Sequence, residues 1–313
     1  MNSDKTIKIM LKPHLVISRC FLKPVRYNGG IINDLFINKL LSFVKYRDVC
    51  PEVDIGLGVP RPRVTILKIN GEYRLVQPET GRDLTEVMNG YATKTINTLE
   101  KADGFVLKAK SPSCGVGSAK FNKAGPSPGK TDGLFATHIL KAFPHLPVED
   151  EGRLRDYEIR RHFLIRIYSF TELKELIDAP SPLKLIEFHT RYKYLLMTYN
   201  QKNLRLMGKI VASGDMDIKE KIIKYSELFY QSFAQKPTRK KHLNTLMHIT
   251  GYFSREMGLR ERRHLTELID KYSKQKTELK IIIELLRSLA YRFENQYILI
   301  QKYLDPYPEE LNV

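Results

Sequence analysis

Tryptophan is absent from this chain, cysteine occurs three times, and no uninterrupted apolar stretch approaches the roughly 18 residues that a membrane helix needs. The last absence excludes a helical membrane span and sets the membrane aside as a partner. Three thiols are too few, and odd in number, for a disulfide framework in a chain of 313 residues. A reducing cytoplasmic compartment is therefore expected. The early lysines Lys5, Lys8 and Lys12 precede only Leu15-Val16-Ile17-Ser18, too short a run for the core of a secretory signal. Acid is also scarce, with 35 Asp and Glu against 52 Lys and Arg, a formal net charge of +17. Such an excess by itself fits nucleic acid, a membrane surface or an acidic protein, which charge alone never separates; no membrane partner is expected.

What is present fits a folded protein. Hydrophobic residues make up 42% of the chain, and 17 Tyr and 14 Phe supply the aromatic bulk that tryptophan does not. The length allows two domains. Residues 14–18 read as a first strand and residues 33–44 as a helix, followed by a short second strand ending near Cys50. Residues 64–70 and 73–77 flank Gly71 as a hairpin. Residues 85–101 read as helix, 103–107 as strand, 125–129 as a Gly/Pro loop and 134–143 as helix. The alternation predicts an α/β, Rossmann-like domain with a mainly parallel sheet over residues 1–149. From residue 150 the pattern becomes helical, with helices expected at 157–168, 182–199, 203–212, 218–234, 239–257, 260–274, 280–289 and 291–303. An all-α domain over 150–313 is the expectation.

The chemistry is concentrated at strand ends. Ser111-Pro112-Ser113-Cys114-Gly115 follows the apolar run Phe105-Val106-Leu107, and its proline and glycine make it a rigid turn. Cys20 and Cys50 also follow short apolar runs. In open α/β sheets ligands sit at the carboxyl ends of strands, so the topology draws the three thiols together. They are read as ligands of one iron–sulfur cluster. With three thiolates, one iron of a [4Fe-4S] cluster stays open to a substrate. Zinc would want a fourth ligand, for which His14 is nearest in sequence, and unreactive core cysteine is the remaining alternative. Glu52 stands two residues after Cys50, where a carboxylate can move a proton; its plain alternative is an ion pair with Arg61 or Arg63. Ser111 and Ser113 can bind substrate or cap their own turn. Lys108 and Lys110, alternating along the strand, can attract an anionic substrate.

Beyond these, Cys20-Phe21-Leu22, the segment from Val25 through Arg26, Tyr27 and Asn28 to Gly30, Cys50-Pro51-Glu52, Pro60-Arg61-Pro62, Pro78-Glu79-Thr80-Gly81 and Ser111-Pro112-Ser113-Cys114-Gly115 occur in order. Over about 145 residues this resembles the thiouracil desulfidases, with Asn28 where an aspartate is usual. The resemblance implies a [4Fe-4S] cluster on Cys20, Cys50 and Cys114, with Glu52 and Ser111 as the catalytic carboxylate and serine. Arg26, Tyr27, Lys108, Lys110 and Ser113 are the accompanying substrate-binding candidates. The C-terminal half, through Phe188-His189-Thr190, Gly251-Tyr252-Phe253 and Gln301-Lys302-Tyr303-Leu304, resembles a helical domain often fused to that family. Such fusions resemble desulfidases that act on 4-thiouridine in tRNA.

That resemblance implies tRNA and a thiolated pyrimidine as partners. The dense basic runs Lys236, Arg239, Lys240, Lys241 and Arg260, Arg262, Arg263 are then phosphate contacts, or else solvated helix faces. A desulfidase of free thiouracil or thio-nucleotides is the second reading. A non-catalytic RNA-binding or redox-sensing iron–sulfur protein is the third. His248, Tyr252 and Arg255 share a helix face; packing of the first two against another helix is expected, with nucleotide contact the alternative. Phe188, Tyr192, Leu195 and Tyr199 form a stripe that reads as core.

Overall fold

The computed structural model describes residues 11–122 and 129–312. The expected loop at 125–129 lies almost entirely outside these residues, as do Lys5 and Lys8. In chain order the first elements are β1 (His14–Ser18), α1 (Leu35–Leu40), β2 (Lys45–Val49), α2 (Pro51–Asp54), β3 (Thr65–Ile69), β4 (Glu72–Gln77), β5 (Arg82–Asp83) and α3 (Thr85–Ile96). Then follow β6 (Gly104–Leu107), β7 (Ala119–Asn122), β8 (Gly129–Thr131), α4 (Leu134–Ala142), β9 (Val148–Asp150) and α5 (Tyr157–Asp178). The helical elements after them are α6 (Pro182–Tyr199), α7 (Gln201–Ala212), α8 (Ile218–Ser232), α9 (Arg239–Gly251), α10 (Leu259–Ser273), α11 (Leu279–Arg292) and α12 (Gln296–Leu299). Among the described residues no helix is long and apolar enough to cross a membrane.

Two compact units divide the described chain. One ends at Thr171 and takes in the closing stretch from Glu310; the other is Glu172–Glu309. The first unit is α/β. Its main sheet has the strand order β2-β1-β6-β9, parallel throughout. The inner strands read as continuous apolar runs because both faces are covered: β6 is buried at every position and β1 at all but His14. Gly104 is required where β6 begins, since a Cβ there would stand 2.9 Å from Ile167 and 3.0 Å from Pro147.

A second sheet, order β5-β4-β3-β7-β8, is built on the expected hairpin β3–β4. Its strand β7 was not legible as a strand. It has only four residues, with Ala119 and Phe121 inward and Lys120 and Asn122 outward, and it is recruited by parallel pairing with β3. The second unit is helical, as expected. Several boundaries differ, among them the expected helix at 239–257, which ends at Gly251, and two have clear local reasons. Helix α5 runs ten residues further than its apolar pattern indicates, and the Thr171 hydroxyl is absorbed by donating to the Ile167 carbonyl at 2.8 Å. The expected helix at 291–303 is broken, because Glu294 takes a positive φ of 51° and leaves only the single turn of α12.

Candidate active site

Strands β2, β1 and β6 are neighbours in the parallel sheet, and each is followed directly by one cysteine-bearing turn. Cys50 follows Val49 at the end of β2, Cys20 sits in a 3-10 turn after Ser18, and Cys114 closes the turn after β6. The register aligns these ends, pairing Ser18 with Val49 and Ile17 with Val106. All three thiols are unbridged and buried, and all three line one cavity of about 390 Å³. Glu52, Ser111, Lys108, Lys110, Arg26 and Tyr27 line the same cavity. His14 lies at the opposite end of β1, away from the thiols. Ser113 is fully buried behind the turn.

The turn carrying Cys114 is tied down from several directions. The Ser111 hydroxyl accepts the amide N–H groups of Ser113 and Cys114, at 3.2 and 3.1 Å. The first amides of α4 donate to the turn: Leu134 to the Pro112 carbonyl at 3.0 Å and Ala136 to the Ser113 carbonyl at 3.1 Å. Gly133 allows this approach, because a Cβ there would stand 2.4 Å from the Ser113 carbonyl carbon and 2.7 Å from the Cys114 nitrogen. Cys50 is held by Asp54, whose carboxylate accepts the Cys50 N–H at 3.3 Å, the Tyr91 hydroxyl at 2.7 Å and Arg19 at 2.7 Å.

Glu52 meets Arg61, one of the two arginines expected to pair with it. Arg61 Nε and Nη2 both reach Glu52 Oε2, at 2.9 and 2.7 Å, while Ser113 Oγ donates to Oε1 at 3.1 Å. Arg61 is itself buried and donates further to the carbonyls of Val25 and Gly58, at 3.0 and 3.1 Å. Arg63 instead donates to the Tyr27 hydroxyl at 3.0 Å. Lys108 and Lys110 both face the cavity, but not as alternate positions of a strand. Strand β6 ends at Leu107, where the Ser18 hydroxyl accepts the Lys108 N–H at 3.0 Å and takes the backbone out of the ladder. Lys110 has a positive φ of 60°. The Lys108 ammonium is 2.6 Å from Glu151, the residue that follows β9. All four strands of the main sheet therefore supply a group to this end.

The donor set can be tested against an iron–sulfur cluster. Burial pushes the Cys20 thiol up to about 12, and the neighbouring Cys50 adds to it. Burial likewise raises Cys50, and it raises Cys114 further, with Cys20, Glu52 and Cys50 contributing. Three buried thiols so placed become thiolates only beside a strong positive centre. Among the described residues no three His, Cys, Asp or Glu side chains are gathered tightly enough for a single metal ion. A cluster makes a different demand, since each thiolate takes its own iron. Three thiols around one cavity fit that demand.

In the helical unit the basic runs divide. Lys236, Lys240, Lys241, Arg260, Arg262 and Arg263 are exposed and Arg239 is half-buried, and three of the seven also hold main-chain carbonyls. Arg239 and Lys241 donate to the carbonyls of Tyr272 and Tyr199, each at 2.7 Å, and Arg262 donates to that of Ser254. The first two cap helix ends, and Arg262 holds the turn that follows α9, as well as carrying charge. The stripe of Phe188, Tyr192, Leu195 and Tyr199 is core. His248 and Tyr252, expected to pack inward, are exposed. The residues that sequence reading passed over are Gly133, Arg19, Tyr91 and Glu151. Each acts through a contact at least 15 positions away in the chain, so no local pattern marks it.

Comparison with known proteins agrees with this division. Residues 15–151 match the family model described as 2-thiouracil desulfurase, and residues 193–308 match that of a protein of unknown function, DUF1722. The chain thus joins a domain of the thiouracil-desulfidase type to a helical domain of the second type. It is similar to the uncharacterized protein YbgA of Escherichia coli (strain K12), at 26% identity over 155 residues, 48% of this chain and 90% of that protein. Among solved structures it is similar to the [4Fe-4S]-dependent thiouracil desulfidase TudS, at 28% identity and a TM-score of 0.38, covering 46% of this chain and 95% of that one.

Proposed function

We propose that this protein is a [4Fe-4S]-dependent desulfidase that converts 4-thiouridine in tRNA to uridine and hydrogen sulfide by hydrolysis. The observation that supports it most is the meeting of Cys20, Cys50 and Cys114 with Glu52 and Ser111 around one cavity. The three cysteines would hold the cluster, which when bound supplies a Lewis-acidic iron free of protein thiolate for the substrate's sulfur.

The chain's own groups account for the proton movements. Glu52 Oε2 is committed to two N–H donors of Arg61, whereas Oε1 has the single donor Ser113. Oε1 is therefore the atom that takes a proton from the attacking water. The Ser111 oxygen already accepts two amide protons, so its remaining capacity is to donate. It stabilises negative charge as the thiocarbonyl carbon becomes tetrahedral. Water supplies the new carbonyl oxygen. The carbon–sulfur bond breaks with both electrons leaving on sulfur, and the two protons of water leave with it. No oxidant or reductant is consumed.

Arg26, Tyr27, Lys108 and Lys110 surround the same space and would orient the nucleotide. Exposed Lys236, Lys240, Arg260 and Arg263, together with Arg239, Lys241 and Arg262, would bind tRNA phosphates, and the reacting base would be drawn out of its stack. The test is anaerobic reconstitution with iron and sulfide, followed by mixing with tRNA that carries 4-thiouridine. Loss of the thiolated base's near-ultraviolet band, matched by released sulfide, is expected. Turnover of free thiouracil or thio-nucleotides with none of tRNA would instead establish the second reading.

A further inference from the structure

Three tyrosines from separate segments meet in the helical unit. Tyr194 lies in α6, Tyr252 caps the end of α9, and Tyr297 lies in α12. Tyr252 and Tyr297 stack, with ring centroids 5.5 Å apart and planes 29° from parallel. Both stand edge-on to the buried Tyr194, at 6.2 and 6.3 Å. The Lys193 ammonium lies 5.7 Å from the ring centres of both Tyr194 and Tyr297. The group is fixed from beneath by the fully buried Gln301. Its amide donates to the carbonyls of Thr190 and Tyr297, at 3.0 and 3.1 Å, and accepts the Tyr194 N–H at 3.4 Å. A one-turn helix is thereby held rigidly against α6.

The aromatic core of this unit does not need these rings. Phe188, Tyr192, Tyr225 and Phe229 fill the interior and are buried. Tyr252 by contrast is 41% exposed, Tyr297 is half-buried, and His248 and Arg255, four before and three after Tyr252, are exposed. A part-exposed ring, Tyr252, stacked on Tyr297, with the Lys193 ammonium beside Tyr297, offers two things at once. The π-face takes another flat ring, and the cation takes an anion attached to it. In a chain of net charge +17, that pairing fits a nucleobase on a phosphate backbone better than an apolar peptide.

We infer that Tyr252, Tyr297 and Lys193 form a stacking site for an unpaired nucleotide of RNA. Tyr252 supplies the platform and Lys193 the phosphate contact. The inference deepens the tRNA reading above and shares with it only the class of partner.

The test is binding of the full chain to fluorescent oligouridylate and to unmodified tRNA at several salt concentrations. Tyr252→Ala is expected to weaken binding about five- to a hundredfold, the range for losing one base stack, with the salt slope unchanged. Tyr252→Phe keeps the ring and restores binding. Lys193→Gln is expected to lower the salt slope by about 1. Thermal unfolding of each variant checks the fold. Wild-type affinity in Tyr252→Ala, an unchanged slope in Lys193→Gln, or no RNA binding by the wild type overturns the inference. Stacking-dependent RNA binding without sulfide release would overturn the desulfidase reading and leave this one standing.

Discussion

Arg61 shows how one side chain governs the chemistry expected at another. It sits almost out of solvent and spends Nε and Nη2 on a single oxygen of Glu52, which leaves the other oxygen, with Ser113 as its one donor, for the proposed proton transfer. Arg61→Met leaves a largely buried carboxylate without its charge partner. We expect a loss of roughly 3–5 kcal/mol in stability, read by denaturant unfolding, and loss of sulfide release. Arg61→Lys restores charge but not the two-pronged contact, and should recover stability more than turnover. A variant with wild-type turnover would show that Glu52 needs no such orientation. At this scale the sequence was informative about identity and silent about pairing. Cys20, Cys50, Cys114, Glu52 and Ser111 could be named from motifs. That Ser113 rather than Ser111 bonds Glu52 depends on which hydroxyl the turn uses to cap itself, and both serines satisfy the same local pattern.

Elements decide whether the thiols meet at all. Three adjacent parallel strands end in register, and α4 abuts the Cys114 turn so closely that only glycine fits at position 133. Gly133→Ala should therefore displace the turn. Iron content after reconstitution is expected to fall sharply while the far-ultraviolet circular dichroism stays close to wild type; full iron loading would contradict the account. In the helical unit, His189 of α6 and Tyr225 of α8 are joined by a 3.2 Å hydrogen bond. Burial, with Lys193 adding to it, lowers His189 from 6.5 to about 4. The folded form binds the proton less readily than the unfolded one. Stability from this group is complete above about pH 6.5 and is lost as pH falls toward 4. We expect denaturant unfolding to show a decline on the order of 3 kcal/mol across that window, and His189→Asn to flatten it. The mainly parallel sheet was legible, because apolar runs alternating with helices leave few topologies. The strand β7 and the break at Glu294 were not, since one depends on a partner strand and the other on a single backbone angle.

For the whole molecule, charge and division of labour set the expectation. Both halves are basic, and the cavity lies within the α/β unit. Raising salt should therefore increase KM for thiolated tRNA steeply and leave KM for a free thiolated nucleoside nearly unchanged. Equal salt dependence for both would argue that the helical unit takes no part in holding tRNA. The change of pattern near residue 150 made an α/β part followed by a helical part legible, whereas the compact units divide after Thr171, within α5. The surface was less legible: Tyr252 looked like core by spacing and lies at the surface, because α9 ends there and the ring meets the single turn of α12.

Under the proposed function the three-cysteine cavity hydrolyses the carbon–sulfur bond of a thiolated tRNA base. The most direct measurement is one turnover of reconstituted protein on tRNA containing 4-thiouridine, without oxygen or any reductant, in water labelled with heavy oxygen. We expect uridine that carries one labelled oxygen, one sulfide released per base converted, and no reaction when Cys20, Cys50 or Cys114 is replaced by alanine. Unchanged 4-thiouridine beside a formed cluster, conversion only when a reductant is added, or conversion that survives all three cysteine replacements would contradict it.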